Sequence, residues 1–576
     1  MFSTIDYLFF SASILLSMCV GIYFGFWKKA TTSDEYLLGN RTMTVIPIAL
    51  SLIASNISGV TLLALPSDVY IYGANCIWLC VSIVLGCILA NYVFLPVIGQ
   101  LNVASIFQYI ELRFNRRIKI LASCIYTLHI LIYNAVVAYI PAIALSQATG
   151  IDPHIITSVV CIICIAYTTI GGLKAVVWTD AFQFGFMLVA VVAVFVLGVL
   201  SVGGFDVVYE RALHGQRLDF NFSMDLTIRD GFWQVLLGNL VNWIYNLSFH
   251  PGCVQKVLAL PTFPKMKRVV LMLGCGAGFF HLLSILIGVV IYARYSTCDP
   301  ISTGKVSRVD QIVAFFVMEH SQAIPGLAGL FIAGLFSAAL STLSSSLNSL
   351  AATIHGDFIS SIFPSDTLKS RENSILKLIV VITGSICTIL ALFVDQMGSL
   401  LGFIMALLGL VYGIYAGLFC LGIIFPNANS KGAFWGTVSS FVVVGTITVL
   451  NQWYNLQGDL ENFSKPVSIE GCAVPFNITL SSIASTPEPP FILFRLSFWC
   501  NSVMSYLMLI IIGLLVSSFT EPDTLSLDPN LISPISRRLM AKFRMHDVTV
   551  NKYSAGTICQ PAECYSFISD SDISKT

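Results

Sequence analysis

The sequence predicts an all-α polytopic membrane protein with about thirteen transmembrane helices. Of the 576 residues, 56% are hydrophobic and only 10% are charged, against roughly 25% charged residues in an ordinary soluble domain. The apolar residues recur in runs of about 20, the length that crosses roughly 30 Å of hydrocarbon as a helix. A soluble enzyme is therefore excluded. Basic and acidic residues number 30 each, so no basic field attracts nucleic acid.

Each long apolar run is predicted to form one transmembrane helix. The first run has no basic segment before it and no A-x-A-like cleavage site, and Lys28 and Lys29 follow it directly. These features favour a retained helix over a cleaved signal peptide. The runs cover residues 6–26, 44–70, 75–96, 118–150, 153–170, 176–202, 232–249, 269–295, 323–355, 375–394, 398–425, 432–454 and 491–519.

The charges of the connecting links predict the orientation of the chain. With the N-terminus outside, most of the 30 basic residues fall in cytoplasmic links or in the C-terminal tail, as the positive-inside rule requires. Lys256 is assigned to one of these cytoplasmic links, together with Lys265 and Lys267. The odd number of helices places the C-terminus in the cytosol. The expected location is the plasma membrane.

Features of the predicted outer loops agree with this orientation. The sequons at Asn221, Asn462 and Asn477 all fall in loops that become extracellular and predict glycosylation there. Cys298 and Cys472 also lie in outer loops and could form a disulfide, although the sequence cannot show that their Cα atoms come close. At the other end, the serine, aspartate and proline content after residue 520 predicts a mostly disordered cytosolic tail.

Polar and small residues gather near the middle of the second apolar run, where a spanning helix normally avoids them. The cluster predicts a discontinuous helix whose freed carbonyls face a cavity. The same residue types also serve as polar contacts between membrane helices, and this alternative stays open at this point. The residues are Ser51, Ser55, Asn56, Ser58, Gly59 and Thr61.

A second polar cluster lies at the end of the seventh run. Asn242 and Asn246 are four residues apart and share a face with Asn239, which gives a polar stripe directed away from lipid. Pro251 is expected to break the helix close to its cytoplasmic end, because proline removes a backbone donor and clashes with the preceding turn.

A third cluster lies in the ninth run. Ser341, Ser344, Ser345 and Asn348 follow at three- and four-residue spacing, with Thr342 adjacent. Such a hydroxyl face offers neutral oxygen ligands that suit a hard monovalent cation. The cluster therefore predicts a cation site without a carboxylate ligand.

The two predicted breaks are five helices apart if the first helix is set aside as an extra one. This spacing is expected of a five-plus-five inverted repeat, in which the first helix of each repeat is broken at the membrane midplane. The predicted division is an extra helix with its link (1–43), a first repeat (44–202), an outer loop (203–231), a second repeat (232–425), two additional helices with a glycosylated outer loop (426–519) and the tail (520–576).

At these residues the chain resembles the sodium:solute symporter family. The stretch 51–58 is similar to the family's broken first core helix, and 167–183 is very similar to its Gly-Gly-Leu-x-Ala-Val-x-Trp-Thr-Asp-x-x-Gln signature. The stretch 338–342 matches its Ala-x-x-Ser-Ser/Thr sodium motif. The resemblance covers nearly the whole chain to about residue 519 and implies the leucine-transporter-type fold.

The resemblance also implies a sodium site and a gate. Backbone carbonyls of Ala54, Ile57 and Ala338 and the hydroxyls of Ser341 and Thr342 would bind Na+. The signature's acid is Asp180, which we interpret as part of the inner sodium path or gate; the alternative is an interaction with a helix start beside Thr179.

Residues around the first break indicate a branch of the family. Sugar-carrying members have a Glu-Gln pair where this chain has Val60-Thr61, so a sugar substrate is disfavoured. The stretch 58–73 is similar to the branch of the sodium-coupled monocarboxylate, multivitamin and iodide transporters. His250 and Pro251 depart from that branch, which carries asparagine and glutamine there, and this departure bears on substrate identity.

The expected function is sodium-coupled import of a small organic anion, monocarboxylate-like, by alternating access, without enzymatic activity. Free backbone N–H groups at the broken helices and a bound Na+ would attract the anion. Hydroxyls and amides would orient it, and two aromatic rings would close around its apolar part. The predicted substrate residues are Ser55, Asn56, Ser58, Thr61, Asn242, Trp243, Tyr245 and Asn246.

Several alternatives remain open from the residues alone. The cargo could be a vitamin such as biotin or pantothenate, or a halide such as iodide, or the protein could be a sodium-binding sensor that does not transport. His250 is a candidate gating residue, since its charge can change within the physiological pH range; alternatively it is a neutral structural histidine. His129 and His281 are expected to be packing residues. Oligomeric state is not predicted.

Overall fold

The computed structural model describes residues 3–27, 32–101, 105–306, 308–321, 324–359, 366–394, 400–460, 464–472, 490–523 and 528–538. Within these residues the chain consists of helices and connecting loops, with no strand. The main helices are Thr4–Ile22, Val45–Asn56, Leu65–Tyr72, Trp78–Leu89, Phe107–Arg113, Arg116–Thr149, Pro153–Val202, Phe205–His214, Phe232–Ser248, Pro251–Leu258, Phe263–Tyr295, Ile312–Ser321, Leu327–Thr353, Asp366–Ala391, Leu400–Ile424, Ser430–Gln457 and Cys500–Phe519.

Every predicted apolar run contains helical structure. Ten helices of the described residues are long and apolar enough to cross a membrane. The number is eleven if Ser33–Arg41 and Val45–Asn56, which meet at a bend of 113°, are counted together as one span. Two broken helices and one helix of 50 residues account for the difference from the predicted number. At 1.5 Å per residue, 50 residues exceed twice the hydrocarbon thickness, so this helix holds two predicted runs. The total of thirteen stays a prediction.

The first broken helix consists of Val45–Asn56 and 60–72, separated by an unwound segment at 57–58, and Gly59 already has helical dihedral angles. Ile57 is extended, with φ −100° and ψ 108°, which ends the first half. The second half begins with a π-helical turn over Val60–Ala64 and continues as Leu65–Tyr72. The predicted discontinuity near the middle of this run is therefore present.

The second broken helix consists of Phe232–Ser248 and Pro251–Leu258. Pro251 occupies the first turn of the second half, where its missing N–H costs nothing and its fixed φ suits a helix start. The expectation that Pro251 ends the helix near the cytoplasm was therefore wrong in one respect. The proline separates two half-helices, and the second half, Pro251–Leu258, is buried in the protein interior.

The kinked helix, Pro153–Val202, changes direction at Gly172. Gly172 has φ 60° and ψ −159°, a conformation that only glycine adopts readily. A Cβ atom there would lie 2.7 Å from Cδ2 of Tyr36, which is buried under the bend. The Gly-Gly pair of the sequence signature thus forms the turn between two membrane helices.

We expect Gly172→Ala to destabilise the protein by at least about 2 kcal/mol, since strained φ/ψ and a buried overlap act together. The thermal unfolding midpoint of the purified protein measures this loss. Gly185→Ala is the matched control, because a Cβ atom at Gly185 in the same helix meets nothing within 4 Å. An unchanged midpoint for Gly172→Ala would contradict the assigned role of this glycine.

The serine helix, Leu327–Thr353, lies at the centre of the fold. All of its residues are buried except Leu330, and it packs between the kinked helix, the first broken helix and Arg116–Thr149. The extra helix Thr4–Ile22 supports its start, because the Asp6 carboxylate accepts a hydrogen bond from the Gly329 N–H over 2.8 Å. A helix buried all round can present polar groups to its protein neighbours without exposing them to lipid.

Loops at one end of the fold are tied together covalently. Cys298 and Cys472 form a disulfide with a Cα–Cα distance of 5.1 Å, so this prediction is confirmed. Asn221 lies in an exposed loop. Asn462 and Asn477 lie outside the described residues, and all three glycosylation sites stay predictions.

The start of the predicted tail is ordered. Within 528–538, the Leu531 carbonyl accepts a hydrogen bond from the Tyr109 hydroxyl over 3.0 Å. The Ser533 N–H donates to the Ile423 carbonyl over 2.9 Å. This part of the chain is packed against the helices, and residues 539–576 lie outside the described residues.

Candidate functional site

The implied sodium ligands come together where the first broken helix meets the serine helix. The Thr342 hydroxyl donates to the Ala338 carbonyl at 2.9 Å, with the Ser55 carbonyl at 3.2 Å. Ser341 Oγ lies 3.2 Å from Ser55 Oγ. The two polar segments are therefore in direct contact, and the five implied ligand residues are all buried: Ala54, Ile57, Ala338, Ser341 and Thr342.

The oxygen atoms at this junction suit a sodium ion. Because the first half-helix ends at Asn56, the carbonyls of Ala54, Ser55 and Asn56 lack the N–H partners they would have in a continuous helix. Of the two hydroxyls that the serine helix adds, that of Thr342 contacts the Ser55 carbonyl and that of Ser341 contacts the Ser55 hydroxyl. Neutral oxygens of this kind bind hard cations such as Na+. The transported ion would thus be held by both halves of the junction and would link the two helices.

Asp180 lies beside this junction within the kinked helix and is fully buried. Its carboxylate accepts hydrogen bonds from Ser51 Oγ at 2.7 Å and Ser55 Oγ at 3.2 Å. It also accepts from Ser345 Oγ at 3.3 Å. Asp180 is in the interior of a helix and contacts the first broken helix and the serine helix, a position that suits the predicted gate better than a helix cap.

Lys256 is a buried functional candidate that the sequence did not reveal. Its Nζ lies 2.8 Å from the Asp180 carboxylate, and the side chains of both residues are at most 1% exposed. Nζ also donates to Ser55 Oγ at 2.5 Å and Ser345 Oγ at 2.6 Å. The assignment of Lys256 to a cytoplasmic link was therefore wrong. The helix resumes at Pro251, and Lys256 lies in this second half-helix, in the interior of the protein.

A polar cavity opens next to the junction, between the two broken helices. Seven of the eight predicted substrate residues line it: Ser55, Asn56, Ser58, Thr61, Asn242, Trp243 and Asn246. The serine helix contributes Thr342, Ser345 and Ser346, so the cavity adjoins the sodium ligands. Apolar residues also line the cavity, including Leu52, Val60, Met405, Leu408 and Trp499.

Tyr245 does not line this cavity, unlike the other predicted substrate residues. Its position is about 100° around the helix from Asn246. The ring is fully buried and packs on Tyr412 and Tyr415, with centroids 4.5 and 5.3 Å away. Tyr245 therefore supports the second broken helix from behind.

Two histidines face the cavity. His250 lies at the break between the half-helices and lines the wall near Gly252. His281 also lines it and packs edge to face on Trp243, with ring centroids 5.5 Å apart. His281 was expected to be a packing residue; it packs on Trp243 and also lines the cavity. His129 is buried against Tyr133 and Tyr412, in keeping with packing.

Two broken helices line one polar cavity in a helical, multi-pass bundle, and an oxygen-rich junction lies beside that cavity. This arrangement defines a membrane carrier of the ion-coupled kind. The profile of the sodium:solute symporter family matches residues 36–439. The chain belongs to this family. The resemblance seen at the three sequence motifs is thereby confirmed.

Curated relatives match almost the full length. Sodium-coupled monocarboxylate transporter 2 of Mus musculus is 34% identical over 542 residues, which cover 93% of this chain and 87% of that protein. Sodium-coupled monocarboxylate transporter 1 of Homo sapiens is 33% identical, over 92% of this chain and 89% of its own. The sodium-dependent multivitamin transporter of Oryctolagus cuniculus is 32% identical, over 94% and 86%.

A solved structure supports the predicted fold. A Na+-coupled sialic acid symporter, in a substrate-bound outward-open state, aligns with a TM-score of 0.73 and 22% identity, covering 91% of this chain and all of that one. The expected leucine-transporter-type fold is therefore confirmed.

Proposed function

We propose that the protein is a sodium-coupled symporter that imports a small organic anion, monocarboxylate-like, by alternating access. The observation that carries this proposal is the meeting of Ser341 and Thr342 with the end of the first half-helix at Ser55, beside the polar cavity. The names of the relatives, sodium-coupled monocarboxylate transporters, agree with it.

Coupling follows from the position of the sodium ligands on two separate elements. A bound Na+ would attract carbonyls of the first broken helix and hydroxyls of the serine helix at once, and would hold the first half-helix in place. Ser55 borders both the junction and the cavity. Ordering this segment would therefore improve the substrate site, and linkage requires the effect to be reciprocal, typically about 1–3 kcal/mol.

The cavity supports an anionic substrate of modest size. The second half of the first broken helix starts at the unwound segment beside the cavity, and the positive dipole end of a helix start favours negative charge. The amides of Asn242 and Asn246 add donors, and Trp243 and Trp499 provide an apolar wall. Such a site suits a carboxylate with a short apolar chain better than a sugar.

A competition experiment distinguishes the classes of substrate that the family carries. Monocarboxylates, biotin, pantothenate and iodide are each added as competitors, and the inhibition of substrate uptake is measured.

Reconstitution into proteoliposomes tests the proposal directly. An inward sodium gradient should drive accumulation of a monocarboxylate above its external concentration, and an equal gradient of choline should not. A sensor would show sodium binding without uptake, and a leak would let substrate equilibrate without accumulation. Either of these results would reject symport.

We further propose a plasma-membrane location with the N-terminus outside. The Cys298–Cys472 disulfide supports this orientation, since disulfides persist in oxidising compartments. In this topology the exposed Asn221 loop would lie on the extracellular side. Loss of a glycan-dependent mobility shift in Asn221→Gln is the expected result.

We infer that His250 is a neutral structural residue and not a pH-sensitive gate. Its ring lines the cavity at the break, and burial together with the charge of Lys256 disfavours an imidazolium there. We expect uptake by the wild type and by His250→Asn to show the same profile between internal pH of about 6 and about 8. A pH dependence of the wild type that His250→Asn removes would instead make His250 the gating residue.

A further inference from the structure

The ammonium group of Lys256 makes all its hydrogen bonds among the described residues to oxygen atoms. Its Nζ has three close oxygen partners: the Asp180 carboxylate at 2.8 Å, Ser55 Oγ at 2.5 Å and Ser345 Oγ at 2.6 Å. The Ser51 carbonyl lies farther away, at 3.4 Å. An ammonium group has three protons to donate, and here each has an acceptor. Carboxylate, hydroxyl and carbonyl oxygens around one positive charge also form the kind of shell that holds a free monovalent cation.

This cation pocket and the proposed sodium site share residues. Ser55 contacts Lys256 through its hydroxyl and Thr342 through its carbonyl. The Ser55 hydroxyl is in turn 3.2 Å from the Ser341 hydroxyl, an implied sodium ligand. The ammonium group is therefore separated from the sodium ligands by a single residue. Two positive charges this close repel each other strongly inside a buried site.

Asp180 is the partner that keeps the lysine buried. Among the described residues, it is the one carboxylate within ion-pair distance of Lys256. The pair joins four elements, because Asp180 belongs to the kinked helix, Lys256 to the second broken helix, and the contacted serines to the first broken helix and the serine helix. Removing one member of a buried pair leaves an uncompensated charge.

We propose that the ammonium group of Lys256 is a fixed positive charge that occupies a cation pocket next to the sodium site. The two sites share Ser55, so the charge of Lys256 lowers the affinity of the protein for sodium. The same group prevents a second sodium ion from binding in the pocket that it occupies. This role rests on the proposed sodium-coupled function. Lys256 would then determine both the affinity for sodium and the number of sodium ions that bind.

The test measures sodium binding without transport. The thermal unfolding midpoint of the purified full-length protein is followed against sodium chloride, with choline chloride holding ionic strength constant. Lys256→Gln should bind sodium at least about tenfold more tightly than the wild type. The slope of stability against the logarithm of sodium concentration, which counts bound ions, should rise by one ion. Lys256→Arg keeps the charge and should remain within about threefold of the wild-type affinity.

A double-mutant comparison covers the case in which Lys256→Gln does not fold, since that variant leaves Asp180 unpaired. Asp180→Asn retains the ammonium group, and Asp180→Asn with Lys256→Gln removes both charges. The double variant should bind sodium at least about tenfold more tightly than Asp180→Asn alone. Equal sodium affinities with and without the lysine would overturn the proposal. Failure of sodium to stabilise the wild type would instead reject the sodium-coupled function itself.

Discussion

Ser341→Ala combined with Thr342→Ala abolishes sodium-dependent uptake. The double substitution removes both side-chain oxygens of a site whose other implied ligands are backbone carbonyls of Ala54, Ile57 and Ala338. A hydrogen bond or ligand contact to a charged group contributes roughly 1.5–3 kcal/mol. Loss of two such contacts raises the sodium requirement by about two to four orders of magnitude, beyond the physiological concentration range.

Uptake into cells, measured as a function of external sodium, checks this result. Surface expression should survive, because alanine fits a membrane helix well. Ser337→Ala with Thr353→Ala is the matched control: both residues are buried in the serine helix, and neither belongs to the implied site. Normal sodium activation of the Ser341/Thr342 variant would remove these two residues from the sodium site.

The sodium junction was accessible from sequence because its two halves each leave a local signal. Serine, asparagine and glycine inside an apolar run signal the break found at 57–58, and Ser341 and Thr342 extend a hydroxyl stripe at helical spacing. Either signal alone also fits polar contacts between membrane helices. The family motif paired them, and the Thr342 hydroxyl in fact reaches the Ser55 carbonyl.

Lys256 was missed because charge counting treats a basic residue near the end of an apolar run as part of a loop. The half-helix Pro251–Leu258 has only 8 residues, far shorter than a membrane span, so the hydrophobic pattern ends before it. Its lysine is compensated by Asp180, 76 positions earlier in the chain. No local sequence pattern predicts an ion pair between residues so far apart in the chain.

The far wall of the cavity was also beyond sequence reasoning. Met405 and Trp499 come from apolar helices without a polar cluster, and they meet the cavity only through the way those helices pack. Tyr245 was wrongly predicted to contact the substrate. Its residue type suggested such a contact, but its side chain points away from Asn246 and the cavity. Residue type identifies candidates, whereas helix rotation decides which of them reach the site.

Asn242→Asp reduces uptake of an anionic substrate by about three orders of magnitude. Asn242 lines the cavity, and aspartate has nearly the same shape, so the main change is one negative charge. At about 4 Å from a bound carboxylate, with an effective dielectric constant of about 20, the repulsion is about 4 kcal/mol. Sodium binding is retained or strengthened, because the added charge attracts a cation.

Concentration dependence of uptake in proteoliposomes, together with sodium-induced thermal stabilisation, separates these two effects. Asn242→Leu is the matched control: it keeps the approximate shape and removes the amide without adding charge, so uptake should fall only about tenfold. If the anionic class is correct, Asn242→Asp discriminates between a monocarboxylate and its uncharged amide, whereas Asn242→Leu does not. Undiminished uptake by the aspartate variant, with sodium stabilisation intact, would show that the cargo carries no negative charge where it meets the second broken helix.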